Sequence, residues 1–236
     1  MFQLGHTRSV HRADHILETP DTFVRAPLPG MSKVTAIVHI GPERGARFTQ
    51  YTAEFDIEGT LDPSPLQRFL YVLEGELAVG PDTLRAGDYS YWPAAQGERI
   101  SATHKSRAAI IEKPFIPHPS GSKPHVFSGN EPTLNPSLLA NDEALEVRTM
   151  FPSGSVFDFA CNTMTYHPGG ALPMVEIHVM EHGLLMLEGG GIYRLGEYWY
   201  PVAAGDFIYM APYCPQWFGA LGKAPAKYLL YKDWNR

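Results

Sequence analysis

The stretch from Pro173 to Gly183 concentrates side chains able to hold a metal ion. Glu176, His178 and His182 stand at even spacing. On an extended strand such positions project to one face, where three donors can converge on a single ion. One carboxylate and two imidazoles without a thiolate suit Mn²⁺, Fe²⁺, Ni²⁺ or Zn²⁺ ahead of soft ions. The same residues also spell His178-Val-Met-Glu181-His182, the H-x-x-E-H order of inverted zinc peptidases. That chemistry needs both imidazoles on one face of a helix, with Glu181 as general base. Gly169, Gly170 and Pro173 upstream, and Gly183 and Gly189 downstream, leave no room for such a helix. The strand reading is therefore preferred. The other eight histidines, His104, His118, His125 and His167 among them, lack such company and are expected at the surface or capping turns.

The elements that must position these donors read as β. The 236 residues include 22 glycines and 21 prolines, which cut the chain into short pieces. Those pieces are rich in Val, Ile, Phe, Tyr and Thr: KVTAIVHI (33–40), RFTQYTAEF (47–55), RFLYVLEGELAVG (68–80), SVFDFACNTMTYH (155–167), GLLMLEGGGIYRL (183–195) and KYLLYK (227–232). Short strands separated by turn signals predict a sandwich or barrel. From Pro114 to Pro136 the chain carries six prolines and reads as a connector near the midpoint.

On either side of that connector the same pattern occurs twice. FLYVLEGELAVG followed by LRAGDYSYWPAAQGE matches GLLMLEGGGIYRLGEYW followed by YPVAAGDFIYMAPYCPQ. Gly75 aligns with Gly189, Gly87 with Gly205 and Asp88 with Asp206. Duplication of one β unit is expected, with an arm at 1–33, a first barrel at 34–113, a connector at 114–144 and a second barrel at 145–236.

The spacing from Gly170 through Glu176, His178 and His182 to Gly189 resembles the first cupin motif, with Glu-His-His in place of the usual His-His-Glu. In Gly205-DFIYM-Ala211-Pro212-Tyr213-Cys214-Pro215-Gln216, Gln216 stands where the second cupin motif carries its His ligand. The resemblance implies an all-β bicupin, two jelly-roll barrels in tandem, with one site made by Glu176, His178, His182 and Gln216. Four protein donors on an octahedral ion leave two positions for water or a chelating substrate. Counting back from Gly75 by the same spacings gives Asp62, Ser64 and Arg68, with Glu98 fourth. An arginine at a ligand position repels a cation, so the first barrel is expected to be metal-free.

The C-terminal half, through EIHVMEHGLLMLEGGGIYRLGEYWYPVAAGDFIYMAPYCPQWFGALG and the closing YLLYKDWNR, is similar to the (S)-ureidoglycine aminohydrolases of purine and allantoin catabolism. The likeness includes the Glu first ligand and the Gln fourth ligand, and extends more weakly through LETPDTFVRAPLPG and FLYVLEGELAVG. It implies a Mn²⁺-dependent hydrolase that releases ammonia from (S)-ureidoglycine to give (S)-ureidoglycolate. It further implies that Tyr193, Tyr228 and Lys232 contact substrate, with Tyr228 and Lys232 taking part in catalysis. Tyr228 and Lys232 share parity in KYLLYK, so one strand can present both to a barrel interior.

The remaining composition narrows the class. The net charge of −6 comes without a basic run, which argues against a nucleic-acid surface. No stretch approaches a membrane span, and MFQLGHTRSVHRADHILE lacks a signal core. Two cysteines make no disulfide framework. A cytoplasmic protein acting on a small ureide is expected, assembled as a homo-oligomer through its arm. Two other classes compete: a different small-molecule cupin enzyme such as a dioxygenase or isomerase, and a binding bicupin without catalysis.

Overall fold

The computed structural model describes residues 6–154 and 156–233. Five residues of the expected arm, Ser155 and the last three residues of YLLYKDWNR lie outside the described residues. Among the described residues, helix is confined to 3₁₀ turns of three residues each, and none is long and apolar enough to cross a membrane. Nearly everything else that is regular is strand, as the punctuation by glycine and proline predicts.

The chain divides into two compact units, and neither is a continuous piece of sequence. One is Val24–Leu134 with Gly154–Asp158; the other combines Met1–Phe23, Asn135–Ser153 and Phe159–Arg236. The limits expected at 33/34, 113/114 and 144/145 are thus displaced. Strand His15–Glu18, placed by sequence in a free arm, pairs with Phe207–Met210 of the second unit. Phe127–Asn130, placed in the connector, pairs with Asp88–Trp92 of the first. Local composition marks both segments as irregular; pairing partners far away in sequence decide which sheet each joins.

In the first unit, Thr49–Leu61 lies between Met31–Ile40 and Ser106–Lys113, and Gln67–Glu74 lies between Ser106–Lys113 and Asp88–Trp92. Period-two alternation puts Leu70, Val72, Tyr51, Ala53, Ala108 and Ile110 into one apolar core. The opposite face of Gln67–Glu74 and Asp88–Trp92 is also covered. Tyr91 stacks on Phe127 and meets Phe157 edge-on. Lys113 and Asp158 form a buried ion pair of 3.1 Å, and Gln67 bridges Asp158 to the Tyr91 hydroxyl. The proline-rich segment is therefore packing material for this sheet.

The second unit has an eight-stranded sheet in which Ala226–Asp233 runs between His182–Glu188 and Phe159–Tyr166. A three-stranded sheet of Tyr198–Ala203, Gly190–Leu195 and Gln216–Ala220 closes the barrel. Inward residues of both sheets, Met164, Tyr166, Leu184, Met186, Tyr193, Phe218, Tyr228 and Leu230, make one core. That alternation fixes which remaining side chains face inward: His182 below Leu184, Gln216 below Phe218 and Lys232 beyond Leu230.

The repeat has a physical basis. Gly75 and Gly189 both have left-handed backbones, φ 77° and 63°, and a Cβ would meet Lys105 O at 2.8 Å or Pro225 O at 2.3 Å. Asp88 accepts the Arg85 N–H at 2.6 Å, and Asp206 accepts the Ala203 N–H at 2.8 Å. Each aspartate closes the same three-residue turn.

Candidate metal centre

Three of the four predicted donors, His178, His182 and Gln216, come together at one end of the second barrel, with Glu176 farther out. His182 opens strand His182–Glu188, and Gln216 opens Gln216–Ala220. Glu176 and His178 were expected on the same continuous strand as His182, and here the expectation is corrected. Residues 176–181 form no strand; the glycines and Pro173 that exclude a helix also interrupt the ladder. Extended backbone persists locally, however. Glu176 and Gln216 exchange both backbone hydrogen bonds, at 2.8 and 2.9 Å, and Tyr213 N–H donates to His178 O at 2.8 Å. Alternation survives with it: Ile177 is 61 % exposed, while Glu176 and His178 are half-buried. No helix runs through 176–182, which removes the geometry of the H-x-x-E-H peptidase reading.

The two imidazoles are held by main chain. His178 Nδ1 lies 3.2 Å from Met180 O, and His182 Nδ1 lies 3.2 Å from Tyr231 O. Donation to those carbonyls places the remaining proton on Nδ1 of each ring and leaves Nε2 as a lone pair. The two Nε2 atoms face each other at 3.1 Å. Burial, joined by the charge of His178, pushes His182 down to about 3, so this ring is neutral at ordinary pH. Two Nε2 atoms turned toward each other at this distance make a natural pair of donors for one cation. Bonds of about 2.1 Å at right angles place two donor nitrogens about 3.0 Å apart, so the observed separation fits a shared ion.

Gln216 adds a carboxamide whose Nε2 donates to His178 Nε2 at 2.8 Å, while its Oε1 accepts from the Tyr193 hydroxyl at 3.3 Å. Turning the amide over presents the oxygen to the imidazole side instead. Glu176 stands wider: its carboxylate is not within 4.8 Å of both imidazole nitrogens. Burial raises its pKa, partly countered by His178. A bound cation would reverse that tendency by favouring the carboxylate.

The expected substrate residues surround this cluster. Lys232 is the direct ladder partner of His182, and burial lowers its pKa. The Tyr228 hydroxyl lies 2.8 Å from that of Tyr166 and 3.2 Å from Met164 Sδ. Burial holds Tyr193 and Tyr228 well above the usual phenol range. The sequence reading passed over Tyr166 and Asn162, which share the inward parity of strand Phe159–Tyr166. The alternation in FACNTMTY was the available signal.

A second gathering of donors has a different character. Asp14, His15 and Cys214 bring their ligand atoms within 4.8 Å of one another. His15 Nδ1 is bonded to Asp14 at 2.8 Å and Nε2 to the Tyr200 hydroxyl at 2.9 Å, while burial pushes the Cys214 thiol up to about 11. Both ring nitrogens are satisfied within the protein, so this cluster needs no ion to explain it. His15 and His39 are nonetheless each 1 % exposed and lie within strands, which corrects for these two the expectation of a place at the surface or capping a turn.

Residues 162–231 match the family described as Cupin domain. A protein of Oryza sativa subsp. japonica named "Probable (S)-ureidoglycine aminohydrolase" is 38 % identical, over 98 % of this chain and 77 % of its own length. The (S)-ureidoglycine aminohydrolase of Arabidopsis thaliana is 37 % identical over 98 % of this chain and 80 % of its own. The crystal structure of the protein Ylba from E. coli superposes with a TM-score of 0.85 at 27 % identity, covering 98 % of this chain and 95 % of that one. With identity sustained over the whole length rather than the cupin motif alone, this chain belongs to the (S)-ureidoglycine aminohydrolase family.

Proposed function

We propose that this protein is a hydrolase that releases ammonia from (S)-ureidoglycine to give (S)-ureidoglycolate in allantoin degradation. In this reading Mn²⁺ is held by Glu176, His178, His182 and Gln216. The observation that carries the reading is the pair of imidazoles with Nε2 atoms 3.1 Å apart, set one strand from Lys232. The oxygen and imidazole donors suit a hard or borderline ion, with Mn²⁺ among those favoured. When bound, such an ion supplies Lewis acidity and a template that orients a chelating acid.

The reaction exchanges a C–N bond for a C–O bond: water is consumed and the amine departs with a proton. Lys232 is placed to do two things. As an ammonium it pairs with the substrate carboxylate, and its burial lowers its pKa toward the range in which it can give a proton to the departing amine. Tyr228 and Tyr193 keep their phenolic protons and act as neutral hydrogen-bond donors. Their rings pack on Phe218, which gives the two hydroxyls apolar surroundings. A cytoplasmic setting and self-association accompany this reading.

The test is to add protein to freshly prepared (S)-ureidoglycine, with and without Mn²⁺, and to follow ammonia together with the handedness of the product. Mn²⁺-stimulated ammonia release and (S)-ureidoglycolate are expected, at the same rate without oxygen. Release no faster than in protein-free Mn²⁺ would refute the function, and a need for oxygen would point to a dioxygenase.

A further inference from the structure

Asn162 lies inside the second barrel with its side-chain oxygen unsatisfied. It is 4 % exposed, and Oδ1 has no hydrogen-bond partner. Leaving a buried polar atom unpaired is costly, so native proteins rarely keep one without a use. Its strand, Phe159–Tyr166, turns Met164 and Tyr166 into the core, and Asn162 shares their parity. Across the ladder Asn162 faces Leu230, flanked on the same inward face by Tyr228 and Lys232. On its other side it pairs with the exposed Thr149, which places it near the open end of the barrel.

The first barrel shows what this position does when it is filled. There the ladder that pairs Lys232 with His182 is occupied by Glu112 and Arg68, and the counterpart of Asn162 is Tyr51. The Tyr51 ring is 2 % exposed and packs into the core beside Arg68 and Glu112. A phenol occupies that space in one unit; a shorter carboxamide with a free acceptor stands there in the other.

We infer that Asn162 is a specificity-determining residue whose Oδ1 accepts a hydrogen bond from the terminal NH₂ of the ureido group. This rests on the functional reading above and names the part of the substrate it recognises. The geometry suits it. Asn162 and Lys232 are diagonal neighbours across the ladder, close enough for one small ureido acid to span both side chains. With the carboxylate on Lys232, the ureido end reaches the strand of Asn162.

N-carbamoylglycine and N-acetylglycine differ only by NH₂ against CH₃ at that end. Their dissociation constants should be measured by calorimetry on Mn²⁺-loaded protein. The natural protein is expected to prefer the carbamoyl compound about tenfold, the value of one buried hydrogen bond. Asn162→Leu, similar in shape, should bring the ratio to about one with metal content unchanged. Asn162→Thr, suited to a strand but too short to reach, should do the same and serves if the leucine variant fails to fold. A ratio unchanged in either folded variant, or no preference in the natural protein, overturns the inference. If the preference exists and depends on Asn162 while (S)-ureidoglycine is not hydrolysed, the ureido-recognition inference stands and the assigned reaction fails.

Discussion

In the second barrel His182 pairs across the ladder with Lys232, and in the first the same two positions hold Arg68 and Glu112. The frameworks agree down to the register shift beside each left-handed glycine, yet the interiors are opposite in kind. Arg68 donates Nε–H to Glu112 at 2.6 Å and Nη1–H to Asp62 O at 2.9 Å, with Tyr51 packed alongside. At this position the guanidinium is thus met by acceptors inside the protein. In the second barrel the imidazole pair presents acceptors to each other and Asn162 presents another to the interior. A duplicated barrel can thus complete its polar interior from its own side chains or leave acceptors for a cation and a small molecule to meet. The difference lies in a few inward positions, not in the strands.

The sharpest way to break this comparison is to remove one imidazole. His182→Ala should lose nearly all bound Mn²⁺ and slow ammonia release by about a thousandfold or more, measured by metal analysis and steady-state turnover. Arg68→Met at the equivalent position should leave metal stoichiometry unchanged; loss of the ion there would mean that the first barrel also takes part. Stability should respond in the reverse sense. Arg68→Ala strands the nearly buried Glu112 and should cost about 3–5 kcal/mol in denaturant unfolding, whereas Arg68→Met with Glu112→Leu should recover most of that loss.

Much of this was legible in the sequence. The repeat, the strand character and the even spacing of Glu176, His178 and His182 are local patterns, and local patterns survive into the structure. Asp88 and Asp206 matched because each closes the same turn. The unit boundaries were not legible, because the segment containing His15–Glu18 carries no local mark of its partner at 207–210. The strand expected through 176–182 failed for a related reason: alternation is visible in sequence, while the hydrogen-bonded ladder depends on a neighbour. His15 and His39 were misplaced because a histidine satisfied in the interior has the same sequence signature as one in water.

Smaller effects sharpen the contrast further. Lys232→Met should lower kcat/KM about a hundredfold, the scale of one or two charged hydrogen bonds, while Mn²⁺ content stays the same. In the first unit, His39 is buried, hydrogen-bonded to Thr52 at 2.9 Å, and held down to about 3 by burial. The unfolded chain binds this proton near pH 6.5 and the folded chain does not until about 3. Stability from this group is therefore full above 6.5 and falls as pH drops through that window. His39→Gln should flatten the fall by a kcal/mol or more, read from unfolding midpoints between pH 7 and 4. An unchanged slope would show that other groups govern acid sensitivity in this unit.

The pairing of Ile16 with Tyr209 and of Leu17 with Ile208 has a bearing on how the molecule is made. A ribosome adding about 5–20 residues each second exposes the early strand roughly 10–40 seconds before its partner emerges. The second barrel can close only late in translation, while the other unit, finished by residue 158, can mature first. During that wait the apolar Ile16 and Leu17 stay unsheltered, and a nascent chain stalled before residue 207 would present a sticky strand to chaperones or to its neighbours.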